Sequence, residues 1–349
     1  MHDGRQAVEI FYIISGFYMA LVLTQRYDRL TDFYYNRFLR IFSVYWVVQA
    51  GIVAFAVFTG VWLGGWQRLQ IYLNAPLQTF GPAGFLIGAI SNLVIFGQDW
   101  VFFLRHAHGE NLHFTTNFYA DPHPLWALLL NPPAWSIAVE LTFYLLVPWL
   151  NRFSSRALVV VALASLTLRI VGIVSFGLVH EPWVQRFFPF ELSNFVYGIL
   201  AFRCYQRFSG SQFLQAEARL RAIGMGVLLF LPVLFFLQLV LVRRLQASMG
   251  IDAPLLFSYP LWALGIAGMF WLTRLNEFDR FIGELSYPVY LVHATLCTLA
   301  ARILERRGIP SHWNGPLVAI VSLGLATGLY YSIIKPVDRM RRRPLAAHI

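Results

Sequence analysis

Apolar segments long enough to enter a bilayer recur from one end of the chain to the other, and nothing else restricts its fold so strongly. They run at about Ala7 to Leu23, Ile41 to Trp62, Gly84 to Gly97, Ala134 to Leu150, Ala157 to Leu178, Glu191 to Phe202, Ile223 to Val242, Leu255 to Leu272, Leu285 to Ala301 and Leu317 to Lys335. A backbone in hydrocarbon has no water to bond, so such segments satisfy their N–H and C=O groups internally, as helices. The expectation is an all-α, polytopic integral membrane helical bundle of about ten transmembrane helices. No long linker interrupts the series, so residues 1–349 are read as a single domain without an appended soluble one. Composition agrees: 58% of the 349 residues are hydrophobic and 13% charged, and mean hydropathy is +0.59, beyond ordinary soluble proteins.

The net charge of +10 raises the question of nucleic acid. The arginines stand in short clusters between apolar segments, as the positive-inside rule expects of cytoplasmic loops, so nucleic-acid binding is rejected. The clusters at Asn151 to Arg156, Arg203 to Arg221, Arg274 to Arg280 and Arg339 to Arg343 are assigned to the cytoplasm. So is the polar connection Thr24 to Arg40, with Arg26, Arg29, Arg37 and Arg40. Thr31 or Asp32 is expected to cap a helix carrying Arg37 and Arg40 at i and i+3, two guanidiniums on one face at the membrane surface. Paired forks suit a phosphate-rich ligand; the competing reading is topology signalling plus anionic lipid. Counting crossings from either end leaves Gly84 to Gly97 unable to cross once. It is re-entrant, or paired with a segment such as Leu69 to Phe80.

Cys204 and Cys297 fall at or within apolar segments and support neither a disulfide framework nor a metal knuckle. The connection Gln98 to Pro133 carries His106, His108, His113 and His123, but their spacing matches no ligand motif, so no metal site is assigned. No signal peptide precedes Ala7.

The most informative single span is Asn131 to Pro148. It begins at the pair Pro132-Pro133, where a missing backbone donor costs little. Ser136, Glu140 and Tyr144 lie at i, i+4 and i+8 and form a polar stripe on an otherwise apolar rod. A carboxylate at that depth costs a few kcal/mol and marks a functional site by default. The alternative is a structural pair with an arginine or hydroxyl of a neighbouring helix. In the first span, Gly16 allows close helix packing and Ser15 a bond across helices. Near the end, Ser286, Tyr290 and His293 share one side of a helix, where His293 is a packing residue or a second polar site residue.

Four stretches together resemble the acyltransferase 3 family of polytopic membrane acyltransferases. Ala7 to Phe17 resembles that family's second-span signature, with Glu9 at its usual aspartate. Arg37-Phe38-Leu39-Arg40 resembles its R-x-x-R loop, Trp135 to Glu140 with Phe143-Tyr144 its central motif, and Ile282 to His293 its late I-S-Y-x-x-Y-L-x-H stretch. Their order agrees too. The chain departs from the family in lacking the first span, which bears an arginine and a histidine base, and in having Ile334 where relatives often show glutamate. His2 lies where that histidine falls if the connecting loop is very short.

The resemblance implies transfer of an acetyl or similar group from acyl-CoA to a hydroxyl of a glycan, lipid-linked sugar or small molecule, in a bacterial inner (plasma) membrane. It implies no permanently bound cofactor. His2 and Glu140 are then the catalytic residues, Arg37 and Arg40 hold the donor, and Trp135, Ser136, Tyr144 and His293 contact substrate. Two alternatives stand beside it: a transporter or flippase of a lipid-linked sugar, using Glu140 and His293 as a polar path, and an inactive relative truncated at its N-terminus.

Overall fold

The computed structural model describes residues 3–27, 29–74, 76–106, 112–209 and 253–346. Helices dominate it: α1 (Asp3–Gln25), α2 (Leu30–Leu63), α3 (Pro76–Leu93), α4 (Trp135–Leu150), α5 (Ser155–Phe176), α6 (Phe188–Ser209), α7 (Ala253–Thr273), α8 (Glu277–Arg306) and α9 (Asn314–Leu329). A π turn, Tyr330–Ile334, leads from α9 into α10 (Lys335–Ala346). Among the described residues, six helical stretches are long and apolar enough to cross a membrane: Gln6–Gln25, Leu30–Trp62, Pro132–Leu150, Ser155–Phe176, Glu277–Arg306 and Ser311–Met340. The all-α, polytopic expectation holds. The expected segment Ile223 to Val242 lies outside the described residues.

α5 shows what solvent the fold is built for. Its buried positions are Leu158, Ala162, Ser165, Arg169 and Gly172, a stripe at helical spacing that carries its polar and small residues. Val160, Leu163, Val171 and Val174 on its other sides are exposed. A helix that turns polar groups inward and branched apolar ones outward is arranged for lipid. The chain is an integral membrane protein.

One expectation needs correction. The connection Thr24 to Arg40 is almost all helix: α1 ends at Gln25, α2 begins at Leu30, and Arg37 and Arg40 lie well inside α2. Neither Thr31 nor Asp32 caps it. The cap position is Arg29, in extended conformation and without a side-chain bond, while Asp32 sits in the first turn, where a carboxylate favours the helix dipole. The weak segment near Gly84 is short, in keeping with the count that left it unable to cross once. α3 is broken at Gly81, which has φ +66°, followed by Pro82, a pair that cannot continue a helix. From Pro82 to Leu93 the helix rises about 18 Å at 1.5 Å per residue. That falls short of the roughly 30 Å of hydrocarbon, so this piece does not cross alone.

The chain packs as two compact units: Met1–Asp28 with Val139–Asn276, and Arg29–Ala138 with Glu277–Ile349. In the first, α6 lies between α1, α5 and α7. α1 and α6 approach so closely that a Cβ on Gly16 would stand 2.0 Å from the Phe195 carbonyl oxygen, and one on Gly198 2.1 Å from that of Ile13. Tyr12 stacks on Phe195 at 4.5 Å, and Phe143 stacks on the same ring at 4.2 Å.

In the second unit, α8 packs against α9 and α2. A short antiparallel hairpin, β1 (Leu104–His106) with β2 (Leu112–Phe114), pairs Arg105 with His113. The Asn92 amide ties the end of α3 to the following chain: it lies 2.9 Å from the Leu128 carbonyl, and its oxygen accepts from the Leu130 N–H at 2.7 Å.

Candidate active site

The first unit holds two buried polar clusters built around acids of the sequence motifs, Glu140 and Glu9. Glu140, on α4, accepts from Ser15 Oγ of α1 at 2.5 Å and from Tyr144 OH, one turn along its own helix, at 2.7 Å. All three are buried. Of the stripe read from sequence, Glu140 and Tyr144 are therefore one bonded pair, and Ser15 supplies the anticipated bond across helices. Two O–H donors on one oxygen fix the orientation of the carboxyl group.

The second cluster is centred on Arg169 of α5. Its Nη2 donates to Glu9 Oε1 at 2.9 Å and to the Val184 carbonyl at 3.0 Å, and its Nη1 lies 3.3 Å from Glu191 Oε1. Tyr259 OH donates to the second oxygen of Glu9, and Asn194 Nδ2 donates to Glu191 Oε2 at 2.9 Å. The side chains of Arg169, Glu9 and Glu191 are 4%, 2% and 0% exposed, so two carboxylates share one guanidinium out of contact with water. The ion network holds α1, α5, α6 and α7 together. Sequence reasoning passed over Arg169 and Tyr259; an arginine within the apolar run Ala157 to Leu178 was the available signal.

In the second unit Ser136 begins α4. Its Oγ donates to Tyr290 OH at 2.7 Å, and Tyr290 OH donates to the Pro133 carbonyl at 2.8 Å. Asn131 Nδ2 bonds the Leu291 carbonyl at 3.1 Å, so the turn that starts α4 is held on α8 at two points. Trp135 is buried beside them. His293 is half-buried, its Nδ1 2.6 Å from the Tyr290 carbonyl and its ring 5.3 Å from that of Tyr290. That contact is a one-turn bond on its own helix. Ser286 does not join the group: it is exposed and bonds the Gly283 carbonyl.

The two arginines of α2 have different surroundings. Arg40 Nη2 makes an ion pair with Glu284 Oε2 of α8 at 2.8 Å. Arg37 is buried, its Nε has no hydrogen-bond partner, and its guanidinium lies 6.0 Å from the Phe33 ring. Among the described residues no carboxylate pairs with it.

The expected base His2 and the loop histidines, to which no site was assigned, stand apart from these. His2 and His108 lie outside the described residues. His106, His113 and His123 belong to the hairpin and the loop after it, where the His106 N–H bonds the His123 carbonyl at 3.1 Å. Among the described residues no three His, Cys, Asp or Glu side chains are grouped to hold a metal ion.

A family model described as an acyltransferase domain, that of acyltransferase 3, matches residues 3–334. The chain belongs to the acyltransferase 3 family. The match covers nearly the whole sequence and includes the Glu9, Arg37–Arg40, Glu140 and Tyr290–His293 stretches. No curated protein and no solved structure matches the chain. As an acyltransferase 3 protein it is a membrane acyltransferase, an enzyme that moves an acyl group from a donor to an acceptor.

Proposed function

We propose that this acyltransferase takes an acetyl or similar group from acyl-CoA and places it on a hydroxyl of a glycan, a lipid-linked sugar or a small molecule, with no permanently bound cofactor. The observation that carries the donor assignment is Arg37. A buried guanidinium without a counter-carboxylate among the described residues bears a desolvation cost that an anionic ligand would offset. Arginine's planar fork matches phosphate oxygens, and CoA brings several. The arginines near the start of α2, including Arg26 and Arg29, favour the cytoplasmic side, where CoA is made. A bacterial inner membrane is the setting that fits.

In this reading His2 is the general base, since an imidazole titrates near working pH. It takes the proton of the acceptor hydroxyl as that oxygen attacks the thioester carbonyl. The C–O bond forms, the C–S bond breaks, and the proton passes to the departing CoA thiolate. Glu140, oriented by Ser15 and Tyr144, positions the base or the acceptor hydroxyl. Trp135, Ser136, Tyr144 and His293 are assigned to substrate contact.

The test is transfer from radiolabelled acetyl-CoA in membranes bearing the wild-type chain, Arg37→Ala and His2→Ala. Transfer by the wild type is expected, with an apparent donor KM on the order of tenfold higher in Arg37→Ala, the loss of one charged hydrogen bond. An unchanged KM, or an inverted topology of Arg37→Ala in a reporter fusion, returns Arg37 to a topology signal. Full activity of His2→Ala removes His2 as the base.

A further inference from the structure

Glu284 occupies a position that the donor assignment leaves unexplained. Arg37 and Arg40 lie at i and i+3, neighbours on one helix face, yet only one has a carboxylate on it among the described residues. The Arg40–Glu284 pair is only partly covered by the protein, with side chains 33% and 21% exposed, which leaves room for an incoming anion to compete for Arg40. Glu284 also lies on the helix that engages the start of α4. One turn along α8, Tyr287 OH donates to the Ile41 carbonyl of α2 at 2.9 Å, and one turn further Tyr290 takes the Ser136 hydroxyl.

We propose that Glu284 is an internal counter-anion of the donor phosphate site. It holds Arg40 while the site is empty and gives it up when a donor phosphate arrives, so it sets how tightly the donor binds. This inference rests on the acyl-CoA reading of Arg37. With Glu284 in place the two forks present one net positive charge rather than two, and a phosphate must displace a carboxylate to use both. Ion pairs of this exposure are weak, which is what an exchangeable partner requires. Exchange also releases a polar contact between α2 and α8, the helix that carries Tyr287 and Tyr290.

The sign of the effect separates this role from a structural one. If Glu284 competes, neutralising it tightens donor binding. If it only holds Arg40 in place, neutralising it loosens binding. CoA is titrated by calorimetry onto purified wild type, Arg37→Ala, Glu284→Gln, Glu284→Asp, Arg40→Ala and the Arg40→Ala/Glu284→Gln double variant. Glu284→Gln is expected to bind CoA about two- to fivefold more tightly, with donor KM falling by the same factor and kcat little changed. Glu284→Asp, which keeps the charge, should stay near wild type. The gain should vanish in the Arg40→Ala background, because the carboxylate acts through that guanidinium. Unchanged or weaker binding by Glu284→Gln, or a gain that persists without Arg40, overturns the proposal. Weaker CoA binding by Arg37→Ala alongside an unaffected Glu284→Gln would leave the acyl-CoA reading intact and sink only this inference. A wild type that binds no CoA removes both.

Discussion

Adding one methyl group at Gly198 tests the packing that positions Glu140. A Cβ there would stand 2.1 Å from the Ile13 carbonyl oxygen, 2.6 Å from the Phe17 nitrogen and 2.9 Å from the Gly16 carbonyl carbon, all backbone atoms of α1. No side-chain rotation relieves that, so α1 and α6 must separate by about an ångström to reach ordinary contact distance. Overpacking of this kind costs about 1–3 kcal/mol, and the separation also opens the Tyr12–Phe195 stack. Ser15 moves with α1, and a shift of that size takes its 2.5 Å bond to Glu140 out of hydrogen-bond range. Gly198→Ala and Gly16→Ala should therefore lower the melting temperature in detergent by several degrees and reduce acyl transfer. Gly324→Ala in α9, where nothing lies within 4 Å of the added carbon, should be neutral or mildly stabilising, as alanine is in a helix. A Gly198→Ala protein that melts and turns over like the wild type refutes the close approach and the positional link to Glu140.

Three further outcomes follow from buried charge. Arg169→Ala leaves Glu9 and Glu191 without their shared cation and should cost about 3–5 kcal/mol, read as loss of folded protein in detergent; a stable Arg169→Ala protein would show that the network is not what holds these helices. Glu140→Gln should insert normally and melt near wild type while acyl transfer falls below detection; full activity would remove Glu140 from the chemistry. Asp99, in the loop after α3, is buried with Oδ1 unpaired, and burial pushes its carboxyl up to about 7 against two backbone N–H donors that pull it down. Because the folded form binds its proton more tightly than the unfolded chain, stability is fully present below about pH 4 and falls as pH rises to about 7, by at most about 4 kcal/mol. Asp99→Asn should flatten that slope in melting curves taken between pH 4 and 8, and an unaltered slope would exclude Asp99 as its source.

The helices were legible because a span's length and apolarity are local properties that the bilayer reads directly. The breaks were less so. Counting crossings showed that the segment around Gly84 could not cross once, but not why; the break at Gly81 and Pro82 sets its length. At the start of α2 the helix carrying Arg37 and Arg40 was legible but its boundary was not: Arg29 takes the cap position expected of Thr31 or Asp32.

Partners were harder to read than positions. Glu140 stood out because a lone acid in an apolar run has few harmless explanations, and the structure gives it two hydroxyls, one local and one from a helix 125 residues earlier. Local spacing supplied Tyr144, whereas nothing in the sequence near Glu140 points to Ser15. The same distinction separates the two arginines of α2. Their spacing makes them look equivalent, and only the return of α8, with Glu284 244 residues away, neutralises one and leaves the other without a carboxylate among the described residues. A symmetric pair of forks would bind phosphate by charge alone. In the proposed donor site an unequal pair would bind it through Arg37 and through an Arg40 that must first be released, so the donor's affinity would depend on a residue that no spacing rule places in the site.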